Sequence, residues 1–241
     1  MRVKAIISYD GSAFFGFQRQ TSTPRTVTGV LEHALSDLGV ESAVVGSGRT
    51  DRGVHATGQT VHFDLPDYWR DLNKLRMRLN RRLEAVRIKR IDPVPASFHA
   101  RFDAKKRQYR YIFKTTPPSV FERNYVAYYE ASFDSIRLKE ALSLFVGEHD
   151  FRLFHKTGSQ VHSTIRQIYD ARYYRYGAYG IIRFEANGFL RSQVRMMVDA
   201  AMRCAKNEVS LAEIDAQIAC KTETTRTLAP PQGLYLSKIF Y

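Results

Sequence analysis

The sequence predicts an α+β fold with a substantial sheet. Three observations lead to this class. Apolar residues alternate with polar ones in several segments, as is typical of half-buried strands. Other segments space apolar residues three and four positions apart, as amphipathic helices do. Strands followed by helices occur once in residues 1–105 and again in residues 106–241, so we expect two halves and a substantial sheet.

The N-terminal half, residues 1–105, contains six predicted elements. Its first helix follows Thr26, a residue type that caps helix N-termini, and ends before Gly39. The predicted elements are, in order, a strand at Val3–Tyr9, a helix at Val27–Leu38, strands at Ser42–Gly46 and Thr60–Leu65, a helix at Trp69–Leu83 and a strand at Ala85–Ile91.

The helix predicted at Trp69–Leu83 has two chemically distinct faces. At 100° per residue, its leucines gather on one side and its cations on the other. The leucines are Leu72, Leu75, Leu79 and Leu83, and the cations are Arg70, Lys74, Arg78 and Arg81.

The C-terminal half, residues 106–241, repeats the mixture. Ser210 and Glu213 form a capping box, which predicts the start of a helix. The other predicted elements are a strand at Lys106–Phe113, a helix at Ser135–Val146, a hairpin of Ile165–Tyr174 with Gly180–Ala186, a helix at Phe189–Ala205 and a strand at Gly233–Tyr241.

The charge of the chain indicates a polyanionic partner. Lysine and arginine total 37 against 24 acidic residues, for a net charge of +13. Residues 66–110 alone hold 14 basic and 5 acidic side chains. Because a merely solvated surface usually mixes both signs, this concentration favours a nucleic acid as the partner.

Several classes of protein do not fit the sequence. No apolar run approaches the roughly 20 residues of a membrane span, and residues 1–11 lack the apolar core of a signal peptide. We therefore expect a cytoplasmic protein.

Seven scattered histidines and two isolated cysteines, Cys204 and Cys220, predict no metal site. Gly46 and Gly48 resemble the start of a dinucleotide fingerprint, but Asp51 takes the third glycine position, and no phosphate-binding GK[ST] loop occurs.

A single carboxylate, Asp51, lies between Arg49 and Arg52 in the segment Gly46–Phe63, GSGRTDRGVHATGQTVHF. One interpretation is structural, since acids in loops often cap a turn or pair with a neighbouring arginine. The other is catalytic. Nearby guanidinium groups lower the pKa of an aspartate, so Asp51 should be ionised and suited to act as a nucleophile or base.

The lone carboxylate limits the chemistry that is open to Asp51. Hydrolysis of a glycosidic bond normally needs a second, protonated carboxyl group as the acid. An ionised carboxylate can still act at a sugar carbon when the leaving group needs no proton. Uracil that departs as a delocalised anion meets this condition.

Two tyrosines of the predicted strand Lys106–Phe113 lie on one face beside cations. Tyr109 and Tyr111 are interleaved with Arg107 and Arg110. A tyrosine so placed can stack on an unpaired base, for about 1 to 3 kcal/mol. Tyrosines in strands are also common in protein cores, and the spacing does not decide between these interpretations.

Six segments, taken together and in order, resemble the tRNA pseudouridine synthase A family from end to end. They are SYDGSAFFGFQRQ, GSGRTDRGVHATGQTVHF, FHARFDAKKRQYRY, GEHDF, ANGFLRSQVRMMV and APPQGLYL. By this resemblance Asp51 matches the catalytic aspartate, and Arg49 and Arg195 match the arginines that keep it ionised. Tyr109 matches the tyrosine that stacks on the target base and is implicated in removing the C5 proton.

The resemblance implies a fold and an activity. It implies two similar α/β halves around a mixed, mostly antiparallel sheet, with a central catalytic cleft; the first half carries the aspartate loop and the second carries the tyrosine strand and the arginine helix. It implies a homodimer, without cofactor or metal, that isomerises uridines at positions 38 to 40 of the tRNA anticodon arm. Asp51 would either add to C1′ or remove a 2′ proton. The target base must be flipped out of its stack, for a few kcal/mol.

Four residues depart from the family pattern without removing a catalytic group. They are Arg52, Glu84, Gln193 and Asp199.

Two rival functions remain. A non-catalytic RNA-binding module would use the same basic helix and tyrosines but would not need Asp51, and a related synthase would act on a different RNA.

Overall fold

A computed structural model describes residues 1–130, 132–158 and 162–241. These residues form ten β-strands, five α-helices and two short 3-10 helices, so the predicted α+β class is confirmed. The chain divides into two units. The first comprises Met1–Lys105 together with Leu236–Tyr241, and the second comprises Lys106–Tyr235.

The sheet of the first unit is antiparallel and centred on β1 (Arg2–Tyr9). That strand pairs with β3 (His55–Asp64) on one side and with β4 (Val86–Pro93) on the other. Alternate residues of β1 are fully buried, as period-two patterning requires. The short β2 (Val45–Gly46) pairs with β3.

Two helices accompany this sheet. Helix α1 (Val27–Ser36) begins at the predicted cap, where the Thr26 hydroxyl accepts a hydrogen bond from the Gly29 N–H at 3.2 Å. Helix α2 (Leu72–Arg82) is capped by Asp71, whose carboxylate accepts from the Lys74 N–H at 2.8 Å.

Three predicted boundaries in this unit were wrong. Helix α2 starts at Leu72 and not at Trp69, because Asp71 takes the extended conformation of a cap; Arg70 therefore lies before the helix. The strand predicted from Ser42 is only two residues long, because the Val44 N–H donates to the Glu32 carboxylate at 3.0 Å instead of to a neighbouring strand. Strand β3 begins at His55, five residues before the predicted start.

The sheet of the second unit has the order β5 (Lys106–Lys114), β9 (Tyr179–Ala186), β8 (Ile165–Tyr176) and β7 (Gly147–Asp150), with antiparallel neighbours. The predicted hairpin is confirmed as β8 and β9, which turn at Gly177 (φ +56°). A two-residue strand, β6 (Ala127–Tyr128), runs parallel to β5. Strands β6 and β7 were not predicted, because strands of two and four residues are too short to show a periodic pattern. The last strand of the chain is β10 (Leu234–Phe240).

Helices α3 (Ser135–Leu144), α4 (Gln193–Ala205) and α5 (Leu211–Ile218) complete the second unit. The predicted capping box of α5 is confirmed, with both of its hydrogen bonds formed. Helix α4 begins four residues later than predicted, because Ser192 takes a left-handed conformation (φ +60°) that no helix continues through.

The core of the second unit is rich in aromatic rings. Phe145, Phe151 and Phe154 pack edge to face.

None of the helices described is long and apolar enough to cross a membrane. Among the residues that the structure describes, no group of three or more His, Cys, Asp or Glu side chains could hold a metal ion.

Candidate active site

The Asp51 loop, residues 47–54, connects β2 to β3 and is shaped by a tight turn. The Asp51 carbonyl accepts a hydrogen bond from the Val54 N–H at 3.1 Å, and Gly53 takes φ +79°. A positive φ at the third residue of such a turn favours glycine. This turn explains why Gly53 stands two residues after Asp51. Asp51 is the first residue of the turn and is half-buried.

The backbone next to Asp51 is held from the N-terminal segment of the same unit. The Thr50 carbonyl accepts from the Phe17 N–H at 3.1 Å, and the Thr50 hydroxyl is 2.8 Å from the Tyr9 hydroxyl. A Cβ on Gly16 (φ +119°) would lie 3.3 Å from the Thr50 oxygen. The loop is therefore closely packed against residues 33 to 41 positions earlier in the chain.

Gln59 ties the beginning of the Asp51 loop to β3. Its side chain is fully buried. The Gln59 Oε1 accepts hydrogen bonds from the Ser47 hydroxyl at 2.5 Å and from the Thr60 N–H at 3.1 Å. The Gln59 Nε2 donates to the Gly48 carbonyl at 2.7 Å. Gln59 was not predicted from the sequence, because the alternation of a strand does not show which groups a glutamine side chain will hydrogen-bond.

His55 has a structural position at the end of the same loop. The Gly11 N–H donates a hydrogen bond to Nδ1 of the buried ring at 2.9 Å. This contact fastens β3 to the segment after β1.

The two arginines that flank Asp51 in sequence both point to the surface. Arg52 lies over the Phe15 ring, 4.5 Å from its centroid, in a cation–π contact. Arg49 is exposed and makes no hydrogen bond or ion pair with the residues that the structure describes. The predicted electrostatic role of Arg49 stays a prediction.

In the second unit, Tyr109 and Tyr111 share one face of β5, as the alternation predicts, but their surroundings differ. Tyr109 is 8% exposed, and the edge of its ring meets Phe189 at 5.2 Å and 88°. Tyr111 is fully buried, and its hydroxyl donates to the Pro230 carbonyl at 3.1 Å. Burial raises the pKa of Tyr111 well above its usual value. Tyr111 therefore belongs to the core.

Arg195, in the first turn of α4, makes two hydrogen bonds with Ala229. Its Nε donates to the Ala229 carbonyl at 2.7 Å, and the Ala229 N–H donates to the Arg195 carbonyl at 3.2 Å. The next carbonyl, that of Pro230, is the acceptor for Tyr111. The segment at residues 229–230 thus orients the Arg195 side chain.

The departures from the family pattern are accommodated locally. The Asp199 carboxylate accepts hydrogen bonds from the hydroxyls of Thr227 and Thr225. The Gln193 Oε1 accepts from the Leu190 N–H at 2.8 Å, so this side chain caps the irregular start of α4. Glu84 is exposed.

The cations of the predicted basic helix face, Arg70, Lys74, Arg78 and Arg81, are all exposed. On the opposite face, Leu75 and Leu79 are fully buried, which confirms the two-sided pattern. Arg78 lies 5.9 Å from the Trp69 ring centroid. Within the described ranges none of the four pairs with a carboxylate, whereas the neighbouring Arg82 lies 3.9 Å from Asp37. The face thus carries charge that the protein leaves unneutralised.

A family comparison identifies the class of protein to which this fold and these loops belong. A protein-family model described as tRNA pseudouridine synthase matches residues 5–103 and 141–241. The matched segments contain the Asp51 loop and helix α4. The chain belongs to the tRNA pseudouridine synthase family, whose members isomerise uridine in tRNA to pseudouridine.

Individual relatives narrow the resemblance to one branch. The tRNA pseudouridine synthase A of Wolinella succinogenes is 42% identical over 238 residues, which cover 98% of this chain and 93% of the relative. The protein of the same name from Campylobacter jejuni subsp. doylei is 40% identical over 242 residues and the full length of both chains. That of Lactococcus lactis is 39% identical over 246 residues. The family identified from sequence motifs is confirmed.

Proposed function

We propose that this protein converts uridines at positions 38 to 40 of the tRNA anticodon arm to pseudouridine and that Asp51 is the catalytic group. The observation that carries the proposal is the turn that presents Asp51, with Gly53 at the one position that needs a positive φ. The backbone carbonyl of Asp51 closes this turn by accepting a hydrogen bond from the Val54 N–H.

In the proposed reaction, the bond from C1′ to N1 of the uridine breaks, the uracil turns, and C5 bonds to C1′. The hydrogen on C5 then leaves and N1 gains a proton. The product is an isomer of the substrate, so the reaction consumes no cofactor. Asp51 either adds to C1′ or removes the 2′ proton, and both routes begin from the ionised carboxylate.

Tyr109 and Arg195 are proposed to support this chemistry. Tyr109 offers a ring for stacking and a hydroxyl for transfer of the C5 proton. Arg195 supplies a guanidinium that favours an ionised aspartate, and its side chain is already oriented by Ala229. Arg49 is proposed to add positive charge near the RNA backbone and the carboxylate.

The basic helix face is proposed to bind tRNA phosphates. Its four cations are exposed and lack carboxylate partners among the described residues, so each is available to a phosphate. We also propose that the protein acts as a homodimer, which the molar mass in solution from light scattering would test.

Replacing Asp51 with Asn is the decisive experiment. Asparagine keeps the shape of the side chain but cannot act as a nucleophile or base, so we expect essentially no turnover, beyond the roughly 10²- to 10⁴-fold loss typical of a general base. Binding of tRNA should weaken little, because the variant loses one negative charge that faces a polyanion. The assay is pseudouridine formation in a transcribed tRNA, with Asp67→Asn as an exposed control in the same unit.

The rival functions give different results in the same assay. A non-catalytic RNA-binding module forms no pseudouridine with either the wild-type protein or the variant. A synthase for another RNA leaves tRNA unmodified but acts on total cellular RNA. If Asp51→Asn modified the anticodon arm at near the wild-type rate, the proposed role of Asp51 would be wrong.

A further inference from the structure

A second group of cations lies in the second unit at the end of β5 that is nearest Tyr109. Arg107 pairs with Ala186 on β9, and Ile168 on β8 pairs with the same residue. Arg166 precedes Ile168 by two positions. Because side chains two positions apart on a strand share a face, Arg107, Arg166 and Tyr109 lie on the same face of this sheet.

Three successive residues after β9 connect these groups. The Asn187 carbonyl accepts from Nη1 of Arg107 at 2.6 Å. Gly188 lies against Arg166, whose Nε would be 3.6 Å from a Cβ at that position. Phe189 meets the ring of Tyr109. One short segment, residues 187–189, therefore touches both arginines and the tyrosine proposed to stack on the target base.

Arg166 carries positive charge that the protein does not neutralise. Its Nη1 donates to two carbonyls, those of Ser163 at 2.9 Å and Ile165 at 2.6 Å. Among the residues that the structure describes, no carboxylate lies within ion-pair distance of it. Burial and the charge of Arg107 lower the pKa of Arg166, as expected for two cations held near each other.

Other cations on the same sheet are neutralised by acids. Arg172 and Arg183 both bind Asp170, at 2.8 and 3.0 Å, and Lys106 binds Glu185 at 2.6 Å. The uncompensated charge of Arg166 is thus not shared by these three neighbouring cations. A half-buried guanidinium beside another cation is stabilised when an anion binds between them.

We propose that Arg107 and Arg166 together bind a phosphodiester of the RNA strand whose base stacks on Tyr109. The ligand is a phosphodiester because guanidinium groups recognise phosphate oxygens through paired N–H donors, and the bases of RNA come with a phosphate on each side. The contact would hold the strand in register while the base is turned. This inference rests on the proposed function.

The test compares Arg166→Gln with Arg172→Gln, which removes an arginine of the same strand that is paired with Asp170. Affinity for an anticodon stem-loop RNA is measured against salt concentration. Arg166→Gln should reduce the log–log salt slope by about 0.7 to 0.9, the value for one phosphate contact, and Arg172→Gln should leave it unchanged. Arg166→Lys keeps the positive charge and should keep most of the salt slope. This variant provides the test if Arg166→Gln folds poorly.

Replacing single phosphates of the RNA with uncharged methylphosphonates locates the contact. Methylphosphonates are placed singly at the phosphates that flank the target uridine, and binding by wild type and Arg166→Gln is compared. We expect one position to weaken binding by wild type and to have no effect on the variant. If every methylphosphonate affects the two proteins equally, or if the salt slope of Arg166→Gln is unchanged, the inference is wrong.

The same preparations separate this inference from the proposed function. Wild-type protein is assayed for pseudouridine in full-length tRNA. An inactive wild type contradicts the proposed function, whatever the salt slopes are. An active wild type with an unchanged slope in Arg166→Gln contradicts the phosphate contact alone.

Discussion

Replacing Gln59 with Leu should loosen the Asp51 loop and destabilise the protein. The leucine removes three hydrogen bonds, to Ser47, Gly48 and Thr60. Ser47 and Thr60 are almost fully buried, and each would lose its hydrogen bond to Gln59, at about 1 to 3 kcal/mol. Burial of the leucine itself offsets part of this loss. We therefore expect the free energy of unfolding to fall by about 3 kcal/mol.

Thermal unfolding followed by circular dichroism measures this effect. For a domain of 150–250 residues, 1 kcal/mol corresponds to about 2 to 4 °C, so the Tm should fall by about 6 to 12 °C. Thr57→Ala is the matched control, because Thr57 is exposed on the same strand. Below the Tm, kcat should fall by up to about 100-fold, as is typical when a catalytic group is displaced by about 1 Å. A variant with wild-type Tm and kcat would refute the argument that Gln59 holds the loop.

Three further predictions concern binding, proton transfer and pH. Tyr109→Phe keeps the ring, so tRNA affinity should persist while kcat falls; an unchanged kcat would exclude a role for the hydroxyl. Replacing both Arg78 and Arg81 with Gln should reduce the log–log salt slope of tRNA binding by about 0.7 to 0.9 per contact, and an identical slope would show that this face is only solvated. Hydrogen bonds from Tyr179 and Ser119 lower the pKa of Glu122 from 4.5 to about 2. Its contribution to stability should therefore be complete above pH 4.5 and fall as the pH drops towards 2, and Glu122→Gln should remove that dependence from Tm measured across the acid range.

Local patterns in the sequence predicted the parts of the fold that depend on near neighbours. The capping box of α5 needs only Ser210 and the residue three positions on, and both of its bonds form. The two faces of α2 follow from helical geometry, with Leu75 and Leu79 inside. The hairpin of β8 and β9 likewise follows from two alternating segments and a short turn. In each case the determining residues lie within 18 positions of one another.

Boundaries were less predictable, because single backbone contacts decide them. The periodicity of α4 extends back to Phe189, but Ser192 has a positive φ and Gln193 caps Leu190. The strand predicted from Ser42 is shortened by a hydrogen bond from Val44 to Glu32, 12 positions away. A pattern of apolar residues carries no record of such contacts.

The sequence by itself determined the α+β class, the family and the position of Asp51, because a dense local motif and alternating strands contain that information. Only the tertiary structure decided how the motif is supported. Gln59 became a loop anchor, and Tyr109 and Tyr111, equivalent in sequence, became a slightly exposed ring and a fully buried core residue. The physical reason is that these outcomes depend on which distant segment covers each side chain. Phe189 lies against one tyrosine and Pro230 accepts the hydroxyl of the other, more than 75 positions along the chain.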